Sequence, residues 1–366
     1  MALQYSIHPY TLDFKFPAGT SRGVLKTKET FIIKVWSKDV TTVFGLGECG
    51  PLKKLSIDDK EELLPEIDRK LTAIQKFDAP KSEQEIFDMA LQVAGYDYPA
   101  LRFAIETALL DLFNGGKRLI YKTNFFTSGE KIPINGLIWM GHMEAMLLQI
   151  SDKVTEGFDC IKMKVGSLDF EKEIDILQYI RRKYYTQDIL VRVDANGAFK
   201  PEEALYKMEA MARHGIHSIE QPIAAGQHDL IAKLCAQSPI DIALDEELIG
   251  VNTKSDKAKL LDKIKPQFII IKPTLIGGIH SSLEWIELAN SMNIGWWITS
   301  ALESNIGLNA ISQLASKTVA KSYQGLGTGK LYHNNIESPL TVSAGYIYYD
   351  QNKSWNLSFL NNGQTD

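Results

Sequence analysis

Six charged residues stand out for their spacing: Lys162 and Lys164, then Asp194, Glu220, Asp245 and Lys272, with steps of 25 to 30 residues from Lys164 onward. The last five each close a short apolar run, such as Ile189 to Asp194, Ile216 to Glu220 or Gln267 to Lys272. A charge at the end of an apolar strand is costly without partners. For any one acid the ordinary explanation is a helix cap or a structural ion pair. Three in the same register point instead to a shared role. Three carboxylates drawn together repel unless a cation lies between them, and hard oxygen donors without Cys or His favour Mg²⁺. In a strand, residues i and i+2 share a face, so Lys162 and Lys164 point the same way. Two adjacent ammonium groups are expected to lower each other's pKa toward the range of a useful base. The chemistry that follows is removal of a proton alpha to a carboxylate, with positive charge stabilising the resulting enediolate. The expected partner is a small-molecule carboxylate.

A step of 25 to 30 residues is the length of one βα unit. From Lys131 onward, β-branched runs alternate with amphipathic helical stretches: Ile132 to Trp139, Asp159 to Val165, the acid-bearing runs, Gly295 to Ser300 and a weaker run near Tyr323. Eight strands make a barrel, whose C-terminal rim is the usual seat of catalytic groups. Pro201, with Glu202 and Glu203 behind it, marks one helix start. The first fifty residues read differently, as an antiparallel meander of Tyr5 to Phe16, Val24 to Ser37 and Thr41 to Gly47. Helical patterns follow over Asp58 to Gln75, after Ser82 and over Ala100 to Phe113, the last apolar on most faces and hence expected to be buried. The reading is an α/β chain with an α+β capping domain over residues 1–125, a barrel over 126–333, and a segment over 334–366 packing back on the cap.

The 366 residues are 45% hydrophobic and 23% charged, ample for a large core, and the formal charge of −5 is the wrong sign for a nucleic-acid surface. Three scattered cysteines make no disulfide framework, the start lacks a signal-peptide pattern, and no apolar run reaches membrane-spanning length. The expectation is a cytoplasmic protein with no nucleic-acid or membrane partner, a homo-oligomer being open.

The ordered series Lys162-x-Lys164, Asp194-x-Asn196, Glu220-x-Pro222, Asp245-Glu246 and Lys272-Pro273 resembles the enolase superfamily, muconate-lactonising subgroup, along the whole chain. The resemblance implies a modified barrel, (β/α)7β, under an N-terminal α+β cap. It also implies Mg²⁺ on Asp194, Glu220 and Asp245, with Lys164, Lys272 and Lys162 catalytic, Lys162 through tuning Lys164. Three stretches resemble dehydratases of the subgroup: Ile134 to Gly141, Ser300-Ala301-Leu302-Glu303-Ser304, and Gly325 to Gly329. The implied reaction is dehydration of 2-succinyl-6-hydroxy-2,4-cyclohexadiene-1-carboxylate to 2-succinylbenzoate in menaquinone biosynthesis. Dipeptide epimerisation and racemisation of N-acylated amino acids are the alternatives within the superfamily. Epimerases of the subgroup usually carry an Asp-x-Asp at the eighth strand, and Gly325 to Gly329 has no acid. A Schiff-base aldolase using Lys164 or Lys272 is the rival from another class.

Asn196 and Glu246 are expected to orient the ligands. Ser300, Glu303, Ser304 and Gly327 are candidates for the substrate pocket, and Arg22, in a cap loop, for a substrate carboxylate. Gly277-Gly278 permits a tight turn, and its backbone N–H groups are a further candidate for an anion. His214, His217, His228 and His280 show no ligand spacing.

Overall fold

The computed structural model describes residues 2–20, 23–320 and 322–361. Strands β1 (Leu3–Thr20), β2 (Gly23–Ser37) and β3 (Val40–Cys49) form an antiparallel sheet in that order. β1 runs past Pro17 because the register shifts between Asp13 and Ala18, so the proline falls where no ladder donor is required. Helices α1 (Leu63–Leu71), α2 (Glu83–Ala94) and α3 (Pro99–Phe113) complete the cap. Ser82 caps α2 by accepting the Glu85 N–H. Helix α3 is buried on nearly every face. Gly45 and Gly47 on β3 let it approach so closely that a Cβ at either position would overlap the Ala108 or Ala104 carbonyl.

After α4 (Asn124–Ser128) and the short β4 (Ile132–Pro133), the expected alternation begins. It comprises β5 (Gly136–Ile138), α5 (Met143–Thr155), β6 (Cys160–Lys164), α6 (Phe170–Lys183), β7 (Leu190–Asp194) and α7 (Pro201–Ala212). Then come β8 (Ser218–Glu220), α8 (His228–Gln237), β9 (Asp241–Leu244), α9 (Lys254–Ile264) and β10 (Phe268–Ile271). The short α10 (Pro273–Ile276), α11 (Gly278–Ser291), β11 (Gly295–Ile298) and α12 (Asn305–Lys317) finish the series. β5 to β11 make one parallel seven-stranded sheet in chain order. Its edges meet through a single extended segment, where Gln324 bridges Ile134 and Gly325 bridges Thr299. This is the weak eighth run of the sequence, and the barrel is (β/α)7β as expected.

Strands β12 (Leu340–Ser343) and β13 (Tyr346–Tyr349) pair with β4 beside the barrel. The chain then returns to the cap, where Trp355, Leu357, Phe359 and Leu360 pack around Ile32, Leu46, Ile306 and Ile336.

Candidate active site at the barrel mouth

Parallel pairing sets the charged strand ends side by side. Lys164 is in register with Asp194, and Asp194 with Glu220, while Asp245 and Lys272 immediately follow β9 and β10. The three acids therefore lie between Lys164 on one flank and Lys272 on the other. Lys162 Nζ is 2.9 Å from Asp194 Oδ2 and 2.6 Å from Glu220 Oε2. Lys164 Nζ donates to Asp194 Oδ2 at 3.1 Å and to Asn196 Oδ1 at 2.6 Å. Lys272 donates to Asp245 and lies 3.6 Å from Glu220 Oε1. Asn196 also donates its backbone N–H to Asp194 Oδ1 and its amide to Glu246 Oε1, each at 3.0 Å, so it ties base, acid and neighbouring loop together. It adopts a positive φ of 45° to do so.

The electrostatics correct one sequence expectation. Burial alone would lower the Lys162 ammonium, but Asp194 and Glu220 outweigh it and raise the group. The two lysines do not face each other bare, because Asp194 Oδ2 is shared between them. Burial likewise works against Asp194, yet Lys162 and Lys164 hold it well below the usual carboxylate range. Burial, then the Asp194 charge, pushes Glu220 up to about 7. Lys272 is raised strongly by Asp245 and Glu220 against the cost of burial.

These acids suit a hard cation in chemistry and burial. Neither Glu220 oxygen makes a hydrogen bond of proper geometry, even with Lys162 Nζ at 2.6 Å, which leaves both lone-pair sets open to a better partner. As the side chains stand, the carboxylates turn toward lysines, and among the described residues no three ligating side chains already converge as a cage. Binding a cation would exchange lysine contacts for the ion.

Above this floor lies a cavity of about 480 Å³. Lys162, Lys164, Asp194, Asn196 and Lys272 reach it, and Phe16, Trp139, Leu302 and Leu331 give it apolar walls. Of the pocket candidates, Ser300 and Gly327 line it. Glu303 and Ser304 do not; they sit fully buried behind the wall. Glu303 accepts from Ser300 and from Thr274 Oγ1, at 2.5 Å in the latter case. Ser304 donates its N–H and hydroxyl to Glu48 at 2.8 and 2.5 Å. Arg22 lies outside the described residues. The anion candidate at Gly277-Gly278 is taken internally, since Glu106 on α3 accepts the Ile279 and His280 N–H groups. None of His214, His217, His228 and His280 lines the cavity; His228 contacts Glu247 at 3.0 Å, and His280 stacks on Phe87 at 4.9 Å.

Two buried residues escaped the sequence reading. Gln221 accepts the Asp245 N–H at 3.2 Å and donates to Glu247 at 3.1 Å, linking the β8 and β9 ends. Its place between Glu220 and Pro222 is the only signal it gave. Glu48 reaches from β3 into the barrel, also accepting Thr30 Oγ1 at 3.0 Å and the Gly307 N–H at 2.9 Å. No local pattern announces it.

Comparison with known proteins adds an independent line. The enolase C-terminal domain-like family model matches residues 145–353. Over 366 residues the chain is 43% identical to o-succinylbenzoate synthase of Desulfotalea psychrophila, covering 94% of this chain and 98% of that protein. It is 23% identical to the N-succinyl-L-Arg/Lys racemase of Bacillus cereus, over 94% of this chain and 90% of the relative. The crystal structure of MenC from Desulfotalea psychrophila matches with a TM-score of 0.82 at 38% identity, covering 95% of this chain and all of that one (100%). The dipeptide epimerase of Enterococcus faecalis, complexed with Mg and L-Leu-L-Tyr, shares the fold with a TM-score of 0.82 at 22% identity, over 95% of this chain and 97% of that one.

Proposed function

The chain belongs to the enolase superfamily, and from that membership we propose that it acts as an o-succinylbenzoate synthase. This hydro-lyase reaction converts 2-succinyl-6-hydroxy-2,4-cyclohexadiene-1-carboxylate to 2-succinylbenzoate and water in menaquinone biosynthesis. The observation that carries the reading is the 43% identity spanning nearly the whole of both chains, cap included. The charged floor beneath an apolar cavity supports it, because the substrate is a ring bearing a carboxylate.

Asp194, Glu220 and Asp245 would hold Mg²⁺, which supplies positive charge next to the substrate carboxylate. Lys164 takes the proton alpha to that carboxylate, and the electron pair passes into the carboxylate to give an enediolate. When the pair returns to the ring and the C–O bond to the hydroxyl breaks, the Lys164 ammonium delivers the proton and water departs. Lys272, on the other flank of the acids, stays cationic and offsets the developing negative charge. Lys162, held by Asp194 and Glu220, keeps the two acids apart and partly neutralised. Asn196 positions the Lys164 ammonium. The reading includes a cytoplasmic site of action, consistent with three free, buried cysteines; no described helix is long and apolar enough to cross a membrane.

The decisive test is turnover of the diene by purified protein with Mg²⁺, followed by its loss on exhaustive chelation. Full activity after chelation sinks the metal assignment; no turnover sinks the reaction. A second reading, racemisation of N-succinyl amino acids, is favoured by the two lysines flanking the acids, which suits proton transfer on opposite faces. Deuterium exchange at the alpha carbon of such substrates separates the two.

A further inference from the structure

The cavity floor is balanced in charge, whereas away from it the lining sets Lys15, Lys153 and Lys330 against Asp152 and Glu156 and keeps a positive excess. Lys15 and Lys330 both line the cavity, and among the described residues neither ammonium has an ion pair or a hydrogen bond. Lys153, the other lysine in the lining away from the floor, is satisfied by Glu156 at 2.8 Å. The backbone explains why the two free lysines are neighbours. The register break in β1 between Asp13 and Ala18 releases Lys15 and Phe16 from β2. That stretch pairs instead with the loop after the eighth segment: Lys15 N–H donates to Leu331 O at 2.8 Å, Phe14 bridges Tyr332, and His333 N–H donates to Asp13 O at 2.9 Å. Antiparallel pairing thus sets Lys15 beside Lys330-Leu331, across the cap-barrel junction. Next to them are the apolar Phe16 and Trp139, whose rings meet edge-on at 6.2 Å.

We propose that Lys15 and Lys330 form a second anion subsite that reads the carboxylate at the end of the substrate's succinyl chain. A dicarboxylate with an apolar middle matches the order of surfaces: charged floor, apolar wall, cationic rim. Unpaired lysines at the edge of an apolar cavity lose little by meeting a carboxylate, because no internal partner must be displaced. The inference takes its substrate from the reaction proposed above, but its anion chemistry stands for any succinyl-bearing ligand.

The test compares binding of 2-succinylbenzoate with that of 2-butyrylbenzoate, which replaces the tail carboxylate by a methyl group, in the Mg²⁺-loaded protein by calorimetry at low salt. The wild type should prefer 2-succinylbenzoate by about tenfold or more, the range of charge-assisted contacts at a partly exposed site. In the Lys15→Gln/Lys330→Gln double variant that ratio should fall toward one, while affinity for 2-butyrylbenzoate stays within a few fold. The wild-type preference should also shrink as salt rises. A Lys153→Gln variant should keep the preference. Retention of the ratio in the double variant, its absence in the wild type, or its loss in Lys153→Gln overturns the subsite. Turnover of the diene is read separately, so a wild type that binds with the expected ratio but does not dehydrate supports the subsite and counts against the reaction.

Discussion

The floor of the cavity and its rim are built by opposite means. The floor is made by repetition: five successive strands each end in a charge, and parallel register aligns them. Its partners lie one or two βα units apart, as in Lys164 with Asp194 or Lys162 with Glu220. The rim and the supports behind it come from residues remote in sequence, as in Lys15 with Leu331 and Glu48 with Ser304. Repetition fixes the chemistry, and long-range contact between cap and barrel fixes what is admitted to it. Substrate scope can therefore vary through the second while the first stays as it is.

If that division holds, damage to the floor should abolish catalysis without unfolding the protein. Lys164→Ala should lower kcat by about 10⁴-fold, the upper range for loss of a general acid-base group, with circular dichroism and Tm nearly unchanged. A smaller loss with alpha-proton exchange still intact would move the base elsewhere. Damage to the cap-barrel link should show the reverse pattern. Glu48→Ala strips the acceptor from Thr30, Ser304 and Gly307 and should cost on the order of 3 kcal/mol in chemical denaturation, with KM raised more than kcat is lowered. An equal fall in kcat would mean that Glu48 belongs functionally to the floor.

Asn196→Ala sharpens the contrast, since it leaves every ionisable group in place. Releasing Lys164 and Glu246 from the Asn196 amide, with the backbone N–H to Asp194 retained, should cost about tenfold in kcat, with substrate binding little changed. The smallest effect on catalysis belongs to the cap alone. Burial pushes Asp58, which accepts the Ala100 N–H at the start of α3, up to about 7 against the lowering effect of that bond. Between its unfolded value and about 7 the folded protein binds more protons than the unfolded one, so stability falls as pH rises across that window. Asp58→Asn keeps the acceptor and removes the titration, and should flatten the slope by on the order of 1 kcal/mol per pH unit within that window. A slope identical to that of the wild type would show that Asp58 is already ionised throughout.

The same division explains what was legible in the amino-acid order. The steps between Lys164 and Lys272 locate the floor because a βα unit has a nearly fixed length. The eighth strand was faint near Tyr323 because it is reduced to two bridges at Gln324 and Gly325. The effect on Lys162 came out inverted because spacing shows that two lysines share a face but not that a carboxylate oxygen stands between them. Glu303 and Ser304 follow the seventh strand as expected, yet their side chains turn away from the cavity toward Thr274 and Glu48. Phe16, Leu331 and Glu48 carry no periodic signal, since what makes them neighbours is a junction closed by distant segments.

The pairing of Asp13 to Lys15 with Leu331 to His333 has a further consequence, for synthesis on the ribosome. Strand β1 finds part of its ladder only after more than three hundred further residues have been made. The β13 strand that pairs with β4, at the entry to the barrel, comes later still. Vectorial folding therefore leaves a long interval in which the N-terminal sheet exists with one stretch of backbone unmatched. Contacts of such sequence separation form slowly, so that interval is when the nascent chain is most exposed to mispairing and most dependent on shielding.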